Sequence, residues 1–353
     1  MRDPRRHPGH FRTHLALIVV LLAAASATVA VRWDGDSRRA IALQRGLQVP
    51  AAEGLGPLSG PPSRPVALDA DLRSIGYDVP EGANAYAVRV VEAPASRVYE
   101  QFEAGGGALA ANFWPASSIK VLAALGALDF ARSLGYSGAA TVSFDDGGPT
   151  RTLRSVYQPA IRDSSNYDYD LLVRIAGRDH LNGEFLTARN GFPVTSISRS
   201  YSGLEIDESP AMILTEGGRR TYVPARKAAL VPECPGNCSN LFEMTESVRR
   251  IVLNDQLPSD QRFDLDPTDL KELAAALLGA QGFFTSAVKG ALGAGARIYS
   301  KPGDADGLDC LDVTFIQAKS GDRFLLAASV PHRAGGCDAL SRLARGVLEL
   351  LSA

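Results

Sequence analysis

The chain has 353 residues, 45% of them hydrophobic, which is enough apolar material for one large domain or two intergrown lobes. Its formal net charge is −2, and no arginine-rich block lies in the body of the chain. Composition therefore excludes the broad basic surface that is typical of nucleic-acid-binding proteins.

The N-terminal segment has the pattern of an export signal. Residues 1–14 carry four arginines, residues 15–25 form an unbroken apolar run, and the Ala-Ser-Ala sequence at 25–27 is a candidate cleavage site. The apolar stretch can be extended to Val31, close to the roughly 20 residues of a membrane span. Residues 1–31 are therefore predicted to be either a cleaved signal peptide or an uncleaved signal anchor.

The composition changes after this segment. Residues 32–65 are rich in Gly, Pro and Ala and are predicted to form a disordered linker. The folded domain is predicted to cover residues 66–353. We expect an extracytoplasmic protein, secreted or held at the membrane only through its N-terminal segment, and monomeric.

The periodicity of the body predicts helices and strands in a distinctive order. Two early strands, at 86–91 and 97–102, are followed by a mainly helical middle and then by three strands, at 297–300, 312–317 and 324–330. This order predicts an α+β fold with a five-stranded antiparallel sheet flanked by helices, and a mostly helical lobe. The predicted helices are 69–75, 118–133, 152–161, 167–175, 241–254, 267–278 and 338–351, and residues 191–240 are predicted to be irregular.

The chain has four cysteines, and an even number in an exported protein indicates two disulfides. We favour the pairs Cys234–Cys238 and Cys310–Cys337, although the sequence alone does not fix the pairing. The alternative is a zinc site at Cys234 and Cys238, but no second close pair supports it. No metal or cofactor is predicted.

The first candidate for catalytic chemistry is Ser117-Ser118-Ile119-Lys120 at the start of the apolar helix. Residues three apart share a helix face, so Lys120 can activate the Ser117 hydroxyl as a nucleophile. The helix N-terminus also offers a backbone N–H group to a developing oxyanion. A second Ser-x-x-Lys match, Ser286 to Lys289, lacks a preceding strand pair.

Two further motifs complete the candidate site. Ser164-Ser165-Asn166 lies between two predicted helices, where a helix cap is the structural alternative. Lys301-Pro302-Gly303 ends a predicted strand, where a simple turn is the alternative. A rival match, Lys319 to Gly321, is predicted to be a hairpin turn.

These three motifs, in this order and setting, resemble those of the superfamily of class A β-lactamases and penicillin-binding proteins. The resemblance covers residues 69–353. It implies a cleft between the sheet and the helical lobe, where a serine is acylated by a β-lactam or a peptidoglycan-like peptide.

The resemblance also implies individual roles. Ser117 would be the nucleophile and Lys120 its base, while Ser164 would relay a proton to the leaving nitrogen. Asn166 would position Lys120 and the substrate, and Lys301 would supply positive charge. Substrate-binding positions would be Gly303, the backbone N–H of Asp304 together with that of Ser117, and Glu205.

The chain departs from the superfamily pattern in three places. Pro302 replaces the usual Thr or Ser, whose hydroxyl helps to hold a substrate carboxylate, and Ser165 replaces the usual Asp. Residues 194–201 contain no acid to activate water for deacylation. Glu205 and Glu208 are the candidates for that role, with solvated loop carboxylates as the alternative.

Three functions therefore remain open. The first is a β-lactamase-like hydrolase, and the second is a DD-peptidase-like penicillin-binding protein that deacylates poorly. The third is a catalytically impaired binding domain. A Ser-His-Asp triad is disfavoured because His180 and His332 are the only histidines beyond the N-terminal segment, and neither is predicted near Ser117.

Overall fold

The computed structural model describes residues 65–93, 96–110, 114–234 and 236–352. The predicted signal segment and nearly all of the predicted linker lie outside the described residues. Within the described part of the chain, no helix combines the length and the hydrophobicity that a membrane crossing needs.

One sheet joins strands from both ends of this region, in the spatial order β1 (Val66–Ala67), β3 (Ser96–Gly105), β2 (Asn84–Ala93), β12 (Arg323–Pro331), β11 (Asp309–Gln317) and β10 (Arg297–Ala305). Its five long strands pair antiparallel, as the sequence predicted. The twelve strands among the described residues are β1 (Val66–Ala67), β2 (Asn84–Ala93), β3 (Ser96–Gly105), β4 (Thr141–Phe144), β5 (Arg151–Thr152), β6 (Glu208–Ser209), β7 (Met212–Glu216), β8 (Arg219–Val223), β9 (Arg226–Lys227), β10 (Arg297–Ala305), β11 (Asp309–Gln317) and β12 (Arg323–Pro331).

The predicted strand count of five was wrong by one. The short β1 pairs in parallel with β3, through Val66 opposite Phe102 and Ala67 opposite Glu103. Two residues cannot show the alternation that marks a strand, so this sixth strand had no sequence signal.

The helices agree closely with the predicted ones, with one addition. The helix Thr285–Leu292 was not predicted, although it contains the rival Ser286-x-x-Lys289 match. The main helices are α1 (Asp69–Ser74), α2 (Lys120–Ser133), α3 (Leu153–Arg162), α4 (Asn166–Ala176), α5 (Leu241–Val252), α6 (Pro267–Gly279), α7 (Thr285–Leu292) and α8 (Gly336–Ser352). Short helical turns of α, 3-10 or π type are Ala116–Ile119, Arg178–His180, Leu181–Phe185, Ala188–Asn190, Asn254–Gln256, Ser259–Gln261 and His332–Ala334.

Both faces of the main sheet are covered. Along β12, Leu325 and Ala327 join the larger apolar cluster with the helical lobe, while Phe324 and Leu326 join a second cluster with α7 and α8. Successive strand residues point to opposite faces, so a nearly continuous apolar strand indicates a sheet with two buried faces. The candidate motifs lie on the helical-lobe side of this sheet.

The stretch predicted to be irregular contains a hairpin. Strands β7 and β8 pair antiparallel and extend β4 and β5 into a four-stranded sheet. Gly217 and Gly218 form the turn, with φ values of 57° and 81°. A two-residue turn with positive φ at both positions is typical of tight hairpins, so the Gly-Gly pair was an overlooked signal.

Two cysteine pairs are joined as disulfides, Cys234–Cys238 and Cys310–Cys337. The favoured pairing is therefore confirmed. The first pair closes a short loop before α5, and the second ties the start of β11 to the first turn of α8.

Candidate active site

Ser117 lies in the tight helical turn that precedes α2, and it lines a cavity of about 300 Å³. The neighbouring Ser118 is buried, and its hydroxyl donates to the Pro115 carbonyl at 2.6 Å. Ala116 has a φ of 45°, in the region that non-glycine residues rarely occupy. Strain of this kind is typical of sites where the surrounding fold holds a functional group in place.

Lys120 follows one turn later and is completely buried. Its Nζ atom donates to the Ser164 carbonyl at 2.5 Å, to the Ser164 hydroxyl at 3.2 Å and to the Asn166 Oδ1 atom at 2.6 Å. Burial, with the charge of Lys301 adding to it, lowers the pKa of Lys120 to about 7. A lysine with a substantial neutral fraction near physiological pH has the protonation state that a general base needs.

Lys301 lies on β10, and its side chain extends from the sheet to Ser164, which Lys120 also contacts. Its side chain is completely buried, and Nζ donates to the Ser164 hydroxyl at 3.0 Å and to the Pro302 carbonyl at 3.2 Å. Burial lowers the pKa of Lys301 to about 8, while the charge of Asp312 acts in the opposite direction.

Ser164 is the meeting point of the two lysines. It is the second described non-glycine residue with positive φ, at 57°, and it precedes α4. Ser165 caps that helix by accepting a hydrogen bond from the Asp168 amide at 3.2 Å, so the predicted cap exists at Ser165. Because the Ser164 oxygen accepts from both lysines, its own O–H is available to another acceptor.

Gly303 lets β10 pass close to the Ser117 turn. A Cβ atom at this position would lie 2.6 Å from the Pro115 carbonyl oxygen and 3.1 Å from the amide nitrogens of Ser117 and Ser118. Only glycine permits this approach. Asp304, the next residue, lines the cavity, while its carboxylate contacts the His332 Nε2 atom at 2.7 Å.

The structure does not bring the acidic candidates for deacylation to the cavity. Glu205 is exposed and accepts a hydrogen bond from the Asp207 amide at 2.7 Å. Glu208 pairs with Lys227 at 3.1 Å on the surface. Neither glutamate belongs to the described residues that line the cavity.

The loop at 198–203 supplies an aromatic residue that sequence reasoning missed. The Tyr201 hydroxyl donates to the Ala116 carbonyl at 2.9 Å, and its ring stacks on Tyr169 and lies 5.7 Å from the Lys120 Nζ atom. Burial raises the pKa of Tyr201 to about 12. The Tyr201 phenol is therefore neutral at ordinary pH, and it lines the cavity without serving as a base.

Two buried polar residues fix this loop. Asp170 accepts hydrogen bonds from the Ser200 hydroxyl, the Tyr201 amide, and the amide and hydroxyl of Ser202, at 2.5–2.8 Å. Asn237 accepts from the amides of Ser198 and Arg199 and donates to the Tyr169 hydroxyl and the Arg199 carbonyl. The closely spaced cysteines that bracket Asn237 were the available sequence signal for a rigid element here.

Arg199 is a further cavity residue that the sequence did not indicate. Its side chain is exposed, and the guanidinium carbon lies 4.9 Å from the centre of the Trp114 ring, which also lines the cavity. Among the described residues, no carboxylate forms an ion pair with it. The complete described lining is Trp114, Ala116, Ser117, Asn166, Arg199, Ser200, Tyr201, Asn237, Asp304, Ala305, Asp306 and Leu308.

Comparison with known proteins agrees with this architecture. No family model and no curated protein matches the chain. Solved structures do match: a class A β-lactamase from Mycobacterium abscessus has 17% identity and a TM-score of 0.53, with 81% of this chain and 99% of that chain covered. The class A β-lactamase of the last common ancestor of Gram-negative bacteria has 17% identity and a TM-score of 0.53, and the match covers 80% of this chain and 97% of that chain.

A mutant of PBP-A, solved as an acyl-enzyme complex with penicillin G, is also similar. It has 16% identity and a TM-score of 0.55, and the match covers 81% of this chain and 96% of that chain. These likenesses, together with the six-stranded sheet and its flanking helices, give the chain the fold shared by class A β-lactamases and PBP-A. The predicted α+β class is confirmed.

Proposed function

We propose that the chain is an exported active-site-serine hydrolase that forms an acyl-enzyme with β-lactams or related peptide amides. The observation that carries this proposal is the meeting of Lys120, Ser164 and Lys301 through hydrogen bonds, beside the cavity that Ser117 lines. Distant chain segments thus supply a nucleophile, a base of lowered pKa and a proton relay.

In the proposed acylation step, neutral Lys120 takes the proton of the Ser117 hydroxyl as its oxygen attacks the substrate carbonyl carbon. The carbon–nitrogen bond then breaks, and Ser164 gives its proton to the departing nitrogen. The Lys120 ammonium, which now carries the proton from Ser117 and lies 3.2 Å from the Ser164 oxygen, gives that proton to Ser164 and returns to its neutral form. The backbone N–H groups of Ser117 and Asp304 would stabilise the oxyanion.

Recognition of an anionic substrate group would fall to Arg199. Pro302 removes the hydroxyl that the superfamily pattern offers, and the Lys301 Nζ atom already donates to Ser164 and to the Pro302 carbonyl. The Arg199 guanidinium lies at the cavity wall on the Trp114 ring. A planar guanidinium binds a carboxylate through two parallel hydrogen bonds.

A second candidate concerns the fate of the acyl-enzyme. The only carboxylates among the described residues that line the cavity belong to Asp304 and Asp306, and the Asp304 carboxylate already contacts His332. Tyr201 lies beside Lys120 as a neutral phenol. A site poor in bases favours slow deacylation, as in a peptidase-like penicillin-binding protein that acts on peptidoglycan-like peptides.

The proposed location outside the cytoplasm is supported by the two disulfides, because such bonds persist in oxidising compartments. Membrane contact would be limited to the N-terminal segment, and the chain would act as a monomer without a cofactor.

Covalent labelling with a fluorescent penicillin tests the proposal. We expect one label per chain, found by peptide mapping on Ser117 and lost in Ser117→Ala. The matched control is Ser286→Ala, in the rival Ser-x-x-Lys match on the exposed face of α7, and it should label normally.

The lifetime of the label separates the candidates. Rapid loss after removal of free penicillin indicates a β-lactamase, and persistence indicates the peptidase-like protein. A folded chain that never takes the label at Ser117 contradicts both and leaves the non-catalytic binding domain.

A further inference from the structure

An imidazole contacts the carboxylate of Asp304, the residue whose amide is proposed to serve the oxyanion. The His332 Nε2 atom lies 2.7 Å from Asp304 Oδ1. An ionised carboxylate can only accept hydrogen bonds, so at this distance Nε2 carries the hydrogen and donates it. The His332 side chain is 32% exposed and the Asp304 side chain 44% exposed, so the hydrogen bond is partly shielded from water.

The backbone fixes His332 in this position. Its amide donates to the Leu308 carbonyl at 2.8 Å, directly after β12 ends. On the other side of the ring, a Cβ atom at Gly336 would lie 3.0 Å from the His332 Nδ1 atom, so the imidazole packs closely against the chain there. The disulfide between β11 and α8 closes the same corner. The imidazole is thus held on two sides, with its Nε2 atom directed at Asp304.

Among the described residues, His332 is the one side chain that donates a hydrogen bond to this carboxylate. The Cys337 sulfur lies 4.0 Å from Asp304 Oδ2, but it belongs to a disulfide and has no hydrogen to donate. Arg199, the cation in the described cavity lining, lies against the Trp114 ring and forms no ion pair with Asp304. The orientation of the Asp304 carboxylate therefore depends on His332.

The orientation of this carboxylate bears directly on the proposed acylation. At Gly303, β10 passes the Ser117 turn so closely that a Cβ atom would lie 3.1 Å from the Ser117 amide nitrogen. The next amide along β10, that of Asp304, is the second proposed oxyanion donor. The Asp304 side chain carries its negative charge only a few bonds from that amide, and like charges repel more strongly where water is partly excluded. A carboxylate that turned into the cavity would destabilise the oxyanion.

We propose that His332 is a positioning residue for acylation. Its hydrogen bond holds the Asp304 carboxylate away from the oxyanion site, so that the Asp304 amide can stabilise the negative oxygen. This inference rests on the proposed function, because it concerns acylation of the same serine. His332 is not among the described residues that line the cavity, and it acts through Asp304 alone. The role requires a hydrogen-bond donor at the place of Nε2 and no proton transfer.

The test is a double-mutant cycle on the limiting rate of penicillin labelling at Ser117, in the full-length protein with both disulfides formed. His332→Ala should lower this rate roughly tenfold, because it frees one like charge near the oxyanion. Asp304→Asn keeps the amide and removes the charge. In the Asp304→Asn background, the same His332→Ala change should lower the rate by less than about twofold. Equal losses in the two backgrounds would indicate a purely structural role and overturn the proposal.

A conservative variant tests the need for a donor. The amide nitrogen of glutamine can occupy the place of the imidazole Nε2 atom, so His332→Gln should label within about twofold of the wild-type rate. The oxyanion forms during acylation and not on binding, so the loss in His332→Ala should lie in the limiting rate, with the half-saturating penicillin concentration nearly unchanged. A loss confined to that concentration, or a His332→Gln rate as low as that of His332→Ala, counts against the proposal.

Arg333→Ala is the matched control. Arg333 is the next residue in the same helical turn, is exposed and forms no ion pair within the described part of the chain, so this variant should label like the wild type. Thermal unfolding verifies that each variant is folded. If His332→Ala does not fold, His332→Asn, whose shorter side chain does not reach Asp304, replaces it in the cycle.

The outcomes distinguish this inference from the proposed function. If the wild type takes no label at Ser117, the proposed function fails and the role of His332 fails with it. If the wild type labels at Ser117 and folded His332→Ala labels equally fast, the proposed function stands and the positioning role of His332 alone is overturned.

Discussion

Lys120 and Lys301 direct their ammonium nitrogens at one shared acceptor, the Ser164 hydroxyl oxygen, at 3.2 and 3.0 Å. The buried charge of Lys301, so close to Lys120, disfavours protonation of Lys120. Burial is the larger cause of the lowered pKa of Lys120, and Lys301 adds to it. The arrangement therefore favours a neutral Lys120, as its proposed role as a base requires, and it does so at the cost of folding stability; both consequences can be measured.

The first prediction concerns the pH dependence of acylation. Lys120 acts only when neutral, so the labelling rate of the wild type should rise with pH around a midpoint near 7. Lys301→Gln removes a cation that lowers the pKa of Lys120, so the midpoint should move to higher pH. The measurement is the initial rate of penicillin labelling between about pH 5.5 and 9.

Lys319→Gln is the control for this experiment. Lys319 belongs to the rival Lys-x-Gly match, is exposed in the turn between β11 and β12, and is not among the described residues that line the cavity. The pH profile of the labelling rate of Lys319→Gln should overlay that of the wild type. If the pH midpoint of labelling in Lys301→Gln is unchanged or lower than in the wild type, the proposed electrostatic coupling between Lys301 and Lys120 is contradicted.

The second prediction is a shift of the pH midpoint of labelling in the opposite direction, to lower pH. The carboxylate of Asp170 raises the pKa of Lys120, so Asp170→Asn should move the midpoint of the labelling profile to lower pH. The same change weakens four hydrogen bonds to the loop at 198–203 and should cost about 1–3 kcal/mol of folding free energy. Asp163→Asn, at an exposed surface pair, is the control, and urea titration gives the stability.

The third prediction is steric. Gly303→Ala places a Cβ atom 2.6 Å from the Pro115 carbonyl oxygen, so β10 must withdraw from the Ser117 turn. A displacement of about 1 Å in a reacting site costs roughly 100-fold in rate, and we expect at least that loss of labelling. Gly290→Ala on α7, where the added methyl would meet only Arg345 at 3.7 Å, should label normally. Normal labelling of a folded Gly303→Ala protein would contradict the role of the close approach.

Much of the fold was predictable because its strands and helices carry clear periodicity. The run from Arg323 to Pro331 is nearly all apolar because both of its faces are buried, and the amphipathic α8 closes the second layer. Strand β1 and the pairing of β4 with β7 were not predictable, because short strands depend on partners that are remote in sequence.

The candidate site was predictable to the extent that it lies in contiguous motifs. Ser117, Lys120, Ser164, Asn166, Lys301 and Gly303 are brought to one place by the fold. Tyr201 and Arg199 belong to the loop at 198–203, and Asn237 belongs to the separate segment between Cys234 and Cys238. All three escaped prediction because the shapes of these segments are set by buried hydrogen bonds rather than by periodicity. Glu205, chosen by chain position alone, points instead to the Asp207 amide.

The fourth prediction tests whether Tyr201 supports the turn that carries Ser117, the proposed nucleophile. Tyr201→Phe removes the hydrogen bond to the Ala116 carbonyl but keeps the stacking on Tyr169. One such bond contributes about 1 kcal/mol, so the labelling rate should fall roughly fivefold. Tyr167→Phe, at an exposed position on α4, should have no effect. Faster loss of the label in Tyr201→Phe would instead identify the phenol as an obstacle to water.

The last prediction concerns stability. A lowered lysine pKa means that the folded state binds fewer protons than the unfolded state between about pH 7 and the ordinary lysine value of 10.5. As pH rises through that window, the free energy of unfolding therefore increases because of Lys120. The destabilisation that Lys120 causes is largest below pH 7.

Lys120→Met removes this dependence. At each pH, we compare the unfolding free energy of the variant with that of the wild type. The variant's value relative to the wild type should be higher at pH 7 than at pH 10, by on the order of 2–3 kcal/mol. Urea unfolding at the two pH values measures it, with Lys319→Met as the exposed control that should leave the dependence intact. The substitution also leaves the Asn166 oxygen without its hydrogen bond from Lys120. The cost of this loss is similar at both pH values, so it largely cancels in the comparison. Equal differences at both pH values would mean that Lys120 keeps its ordinary charge in the folded protein, and the proposed base would then lack its basis.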